Sequence, residues 1–284
     1  MAVGWQRLVV DVAGVQRVLL WKAPIGPWSR GAVLVLHGGG GQHANFCVAN
    51  VALTAPQVRF TELALAQGFA VFLPDSSDRV TDNQGRLCGK VWDDEVRDRD
   101  NLDLPFIERL LATTVPGLRP SASRSDLFLT GLSSGGYMTV RAATRMADRV
   151  TAFAPVSSGD PYGWYRDCTP RVRDRSNVFG VAFDSESRRQ ISAIGACSAS
   201  AYPNEKPWDG VQLAARPAWR AFHDARDGIV DESCVNKLRA QLAGHGYPEV
   251  APLRFEGGAR SADRHYWQDA YNQPLLDFFV SRLR

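Results

Sequence analysis

No part of this 284-residue sequence is apolar for the roughly 18 residues that a membrane-spanning helix needs. The longest apolar runs, Ala32 to Leu36 and Phe69 to Leu73, stop far short of it. A basic, apolar, small-residue leader is also missing, and Leu8, Val10 and Val12 already alternate as in a strand. The expectation is therefore a cytoplasmic protein, or a secreted one whose leader has been removed. Cysteine is scarce: Cys47, Cys88, Cys168, Cys197 and Cys234 lie far apart, without the Cys-x-x-Cys or His-x-x-x-His spacing of a zinc site. Their odd number leaves at least one unpaired within a monomer and allows one or two disulfides. Nor is there an excess of one charge. The 33 Lys and Arg against 30 Asp and Glu leave +3, with the basic residues scattered, so nucleic acid and anionic membrane are poor partners. Oligomeric state is not legible. What the chain does have is 45% hydrophobic and 22% charged residues, enough to bury a large core. That excludes a disordered tail, a disulfide-stapled miniprotein and a collagen-like rod.

Two alternating segments, about Trp5 to Val12 and Gln16 to Lys22, flank Ala13 and Gly14 and read as an antiparallel hairpin. The pattern then changes to short apolar runs typical of strands covered on both faces: Ala32 to Leu36, Phe69 to Leu73, Asp126 to Thr130, Thr151 to Val156, Ala218 to Phe222 and Ala251 to Phe255. Helical patterns lie between them at about Thr61 to Gln67, Leu102 to Thr113, Ser134 to Met146, Glu232 to Gly244 and Pro274 to Leu283, with Gly68, Pro116 and Gly244 as stops. This alternation predicts an α/β fold: a doubly wound, mainly parallel sheet with helices on both faces, in one domain over residues 1–284. One insertion, about 157–216, breaks the rhythm with aromatic and turn residues. It is expected to form short helices over one end of the sheet, either bordering a site or acting as a structural flap.

Gly131-Leu132-Ser133-Ser134-Gly135 follows an apolar run and precedes a helical pattern, the strand-turn-helix context that gives Gly-x-Ser-x-Gly its meaning. The turn lifts the Ser133 hydroxyl off the sheet, making it the candidate nucleophile, while glycine at 131 and 135 avoids clashes with neighbouring elements. A serine hydroxyl needs a base and a group to orient that base. Asp227 is the candidate acid, past the Ala218 to Phe222 run and beside Gly228. Its rivals are Asp224, closer to the strand end, and Asp231, which reads as a helix N-cap. His265, in a loop beyond the last apolar run, is the best-placed base. His37 reads as a brace for the glycine loop; His43, His223 and His245 read as ordinary hydrogen-bonded or solvated side chains. Acyl transfer also needs donors for the oxyanion. The run Gly38 to Gly41 offers Gly39 or Gly40, and Ser134, next to the nucleophile, offers the other, each worth about 3 kcal/mol in a transition state. The run lacks both phosphate-loop signatures.

With these pieces in place, the chain resembles the α/β-hydrolase superfamily, and within it the polyhydroxybutyrate depolymerases and related feruloyl or acetylxylan esterases. The resemblance rests on Leu132 to Thr139, on His223 to Val230 as a His-Gly-x-x-Asp-x-x-Val segment, and on His265-Tyr266-Trp267 as a Gly-His-x-Trp ending. It implies the triad Ser133, Asp227 and His265, an ester substrate, small or polymeric, and no metal or organic cofactor. Asp224 and Arg264 stand where that group has glycine, and Gly39 to Gly41 where it often has Cys-Thr before Gln. Trp267, Tyr137 and Trp164 are the candidates for lining a substrate pocket, with a place in the core as the alternative for Trp267. The expected reaction is serine-esterase hydrolysis. The rivals are a peptidase of prolyl-oligopeptidase type, where Gly-x-Ser-x-Gly-Gly-Tyr also occurs, and a non-catalytic hydrolase-fold binding protein.

Overall fold

The structure, a computed structural model, describes residues 4–49, 52–81, 85, 87–96, 99–163, 206–211 and 216–284. Strands β1 (Gln6–Val12) and β2 (Val15–Lys22) form the expected hairpin. Ala13 and Gly14 turn it with φ of 52° and 82°, the left-handed pair that matches strand twist. Then come β3 (Ala32–Leu36), α1 (Ala55–Ala66), β4 (Ala70–Pro74), α2 (Leu104–Arg109), α3 (Val115–Leu118), β5 (Leu127–Leu132), α4 (Ser134–Arg145), β6 (Ala152–Val156), β7 (Ala218–Trp219), α5 (Glu232–Gly244) and α6 (Asp269–Val280). The sheet order is β1-β2-β4-β3-β5-β6-β7, antiparallel at β1-β2 and β2-β4 and parallel from β4 onward.

The apolar runs are continuous because both faces of the sheet are covered. Leu34, Leu36, Phe72 and Leu129 pack with Met138 and Val140 of α4 and Val235 and Leu238 of α5. Their chain neighbours Val33, Val35, Val71 and Phe128 pack on the other face with Phe60 of α1 and Leu275 and Phe279 of α6. Among the described residues no helix is long and apolar enough to cross a membrane.

Several sequence boundaries are corrected. The run Ala251 to Phe255 forms no strand; only isolated bridges, Trp219 with Glu249 and Asp224 with Phe255, cross there, and Pro252 removes a ladder donor. The 218–222 strand shortens to β7, with Phe222 continuing it as a single bridge to Val156. Pro116 does not end its helix. A wide π turn over Leu110–Thr114 precedes it, so its missing N–H is absorbed inside α3. Pro274 lies within α6, where Tyr271, Leu275, Leu276, Phe278 and Phe279 bury enough apolar surface to carry the helix through it. Most of the 157–216 insertion, Trp164, Cys168 and Cys197 included, lies outside the described residues. At its base, the Lys206 N–H donates to the Tyr162 carbonyl at 2.9 Å, and Trp208 stacks on His245 at 4.0 Å. Cys88 and Cys234 are disulfide-bonded and Cys47 is a buried free thiol, held unreactive because burial pushes its pKa up to about 11.

Candidate active site

The turn from β5 into α4 holds Ser133 at φ 53° and ψ −118°, a strained conformation for a residue with a side chain. Its N–H donates to the Val156 carbonyl at 2.9 Å, tying the turn to the end of β6. The flanking glycines are demanded by packing. A β-carbon on Gly131 would collide with the Gly135 carbonyl and Leu36, and one on Gly135 with the carbonyl oxygens of Leu36 and His37. Ser133 is half-buried, whereas Ser134 is buried. Ser134 opens α4, where the helix dipole is positive.

From β6 the next step across the sheet is Phe222, to whose carbonyl the Ser157 N–H donates at 2.9 Å. The chain then turns through Asp227. This residue is fully buried, and its Oδ1 accepts from the Ile229 and Val230 N–H groups at 2.7 and 3.0 Å. Oδ2 meets His265 Nδ1 at 2.9 Å. Burial alone would raise the Asp227 pKa; the attraction and hydrogen bond of His265, with His223 and the Ile229 N–H adding to them, outweigh it and hold the carboxyl below its ordinary value. His265 ends a short 3₁₀ turn, Ala262–His265, and is 6% exposed. The loops that carry Asp227 and His265 are sewn together: Gly228 N–H donates to the Ser261 carbonyl at 2.9 Å and Ser261 N–H to that of Arg226 at 3.2 Å. A β-carbon on Gly228 would strike the Ser261 backbone.

The rival acids have other uses. Asp231 caps α5 by accepting from the Ser233 N–H at 3.0 Å, and Asp224 holds its own turn by accepting from the Arg226 N–H at 2.8 Å. The two residues that depart from the esterase pattern meet, with Arg264 Nη1 3.9 Å from Asp224 Oδ2. His223 is buried, and neither ring nitrogen has a hydrogen-bond partner among the described residues. Burial lowers its pKa to about 4, so it stands neutral.

The glycine loop is braced from below. His37 Nδ1 lies 2.8 Å from the Gly38 carbonyl, which also accepts the Gly41 N–H at 3.0 Å, and His37 Nε2 accepts the Ser76 N–H at 3.1 Å. The Gly40 N–H donates to the Lys90 carbonyl at 2.7 Å. Gly40, an expected oxyanion donor, is thereby corrected, while the Gly39 N–H has no partner among the described residues. Trp267 and Tyr137 are corrected as pocket walls, since each is only 1% exposed. Trp267 packs on Phe46 and Phe60 at 5.3 and 4.9 Å and donates its indole N–H to Asn272 at 2.7 Å, all within the core. Trp164 lies outside the described residues. No group of His, Cys, Asp and Glu among the described residues is arranged to hold a metal ion.

No protein-family model matches the chain, and no curated protein matches its sequence. Solved structures do match in three dimensions. An S-formylglutathione hydrolase from Agrobacterium tumefaciens superposes with a TM-score of 0.59 at 16% identity, over 100% of this chain and 98% of that one. An acetyl xylan esterase from Aspergillus awamori gives 0.59 at 15%, over 97% and 98%. The fold is the α/β-hydrolase fold. A thermostable esterase also matches at 0.57 and 15% identity over 99% of this chain, which spans 64% of that protein.

Proposed function

We propose that this α/β-hydrolase-fold chain is a serine esterase. In this reading His265 takes the proton of Ser133 as the Ser133 oxygen attacks an ester carbonyl, and Asp227 holds the imidazole in the required tautomer and offsets its charge. The Gly39 and Ser134 N–H groups receive the oxyanion. Collapse of the tetrahedral intermediate expels the alcohol, protonated by His265; water, activated by the same imidazole, then releases the acid. The observation that carries the reading is the buried Asp227–His265 hydrogen bond, with the strained Ser133 at the turn from β5 into α4. The esterases and S-formylglutathione hydrolase of similar fold agree with it. Polyesters such as polyhydroxyalkanoate, and feruloyl, aryl or short-acyl esters, are the substrates to screen.

Ser133→Ala is expected to lower kcat on p-nitrophenyl esters at least about a thousandfold. Unchanged turnover rejects the mechanism. An acylaminoacyl peptidase from Pyrococcus horikoshii also matches, with a TM-score of 0.58, so peptide anilides belong beside the esters. Preferential turnover of the anilide overturns the esterase reading. Failure of a fluorophosphonate to label Ser133 favours a non-catalytic binding protein.

A further inference from the structure

One segment that carries none of the proposed catalytic groups touches both halves of the proposed oxyanion site. At its start, the Lys90 carbonyl accepts the Gly40 N–H at 2.7 Å, immediately after Gly39. Lys90 Nζ is fixed in turn by Asp75 Oδ2 at 2.8 Å and the Ser76 carbonyl at 3.0 Å. Asp75 Oδ1 accepts the His43 N–H at 3.2 Å at the far end of the glycine loop. Two residues on, the Trp92 indole N–H donates to the His37 carbonyl at 2.8 Å, and the Trp92 backbone N–H donates to Ser134 Oγ at 3.0 Å. Ser134 Oγ then donates to Asp94 Oδ2 at 2.6 Å. Trp92 and Asp94 are 0% and 1% exposed, so solvent does not compete for these bonds.

From this chain of contacts we infer that Lys90, Trp92 and Asp94 are positioning residues that set the spacing between the Gly39 and Ser134 N–H groups. The inference rests on the esterase reading. The two donors come from different elements, the loop after β3 and the first turn of α4. Strand packing fixes those elements to within side-chain dimensions, but an oxyanion requires donors about 2.7–3.1 Å from one oxygen position. A brace bonded to both supplies the finer constraint. It grips the loop one residue past Gly39 and grips Ser134 through its side-chain hydroxyl.

The test compares Lys90→Met, Asp94→Ala, Ser134→Ala and Asp94→Asn with the parent, using an activated ester and a trifluoromethyl ketone. The ketone mimics the oxyanion: Ser133 adds to its carbonyl carbon, the hydroxyl proton passes to His265 and the carbonyl π pair becomes the alkoxide. The first three variants should lose at least about tenfold in kcat, with KM within about twofold, and should weaken ketone inhibition by a matching factor. Asp94→Asn, whose amide oxygen still accepts from Ser134, should return most of both. If Asp94→Ala does not fold, Lys90→Met and Ser134→Ala decide the matter. Variants that fold and retain kcat and ketone affinity, or lose activity through KM alone, overturn the inference while leaving the esterase reading intact. A parent that turns over no ester overturns that earlier reading and this one with it.

Discussion

Asp227 engages both carboxylate oxygens, one on two backbone N–H groups and one on His265. The carboxylate therefore cannot rotate to serve another partner, and the imidazole it holds is fixed in direction. Asp227→Asn keeps the size of the side chain. Depending on the amide's orientation, it either turns an N–H₂ toward the Ile229 and Val230 donors or presents it to His265 Nδ1. Turnover of esters should fall by about 10⁴ with the fold retained, measured as kcat beside a circular-dichroism melt. Trp267 shows the opposite case. Its aromatic contacts and bond to Asn272 lie in the core, so Trp267→Ala should destabilise by about 3–5 kcal/mol in denaturant titration. Trp267→Phe should leave KM unchanged, and a large rise in KM would restore it as a pocket wall. At this scale the sequence is informative where a residue type has few alternative uses: a serine between obligatory glycines, or Asp231 ahead of a helical run. Tryptophan suits a pocket wall and a core equally well, and only packing separates the two.

At the scale of elements, the elbow depends on how closely α4 approaches the end of β3. Gly135 lies against the carbonyl oxygens of Leu36 and His37, leaving no room for a methyl group. Gly135→Ala must push α4, which opens with Ser134, away from the end of β3, which leads into the Gly39 loop. It should cost about 1–3 kcal/mol in stability and lower kcat more than it raises KM. A variant as stable and active as the parent would show that this contact is slack. The strands β3 to β6 were legible because their apolar runs have one explanation, burial on both faces, and β1 and β2 because their residues alternate around a two-residue turn. The proline-bearing helices and the 251–255 run were not, since local signals at Pro116, Pro274 and Pro252 compete with tertiary packing that pattern reading does not see. The Lys90 to Asp94 brace carries no local motif at all: its partners lie at residues 37, 40, 75, 76 and 134, and only the folded sheet brings them together.

For the molecule as a whole, buried ionisable groups decide how stability responds to acid. His223 titrates near 6.5 in an unfolded chain, but burial lowers it to about 4 in the folded protein. Between these values the unfolded state binds the extra proton and the native state does not, so stability is fully present above pH 6.5 and is lost as pH falls toward 4. The span corresponds to about 3 kcal/mol, an order-of-magnitude figure. Asp227 is held low in the native state and Asp75 well below the carboxylate range, Asp75 because His37, His43 and Lys90 overcome its burial; both act with the same sign at more acidic pH. His223→Phe removes only the first contribution. Since neither ring nitrogen has a partner to lose among the described residues, an apolar ring fits its surroundings. Urea midpoints measured from pH 7 to 4 should therefore fall steeply for the parent and remain nearly flat for His223→Phe, with the two curves keeping a constant separation in their carboxylate-driven decline below that range. Parallel curves throughout would show that His223 becomes protonated in the native state without cost, and that the acid sensitivity belongs to the carboxylates alone.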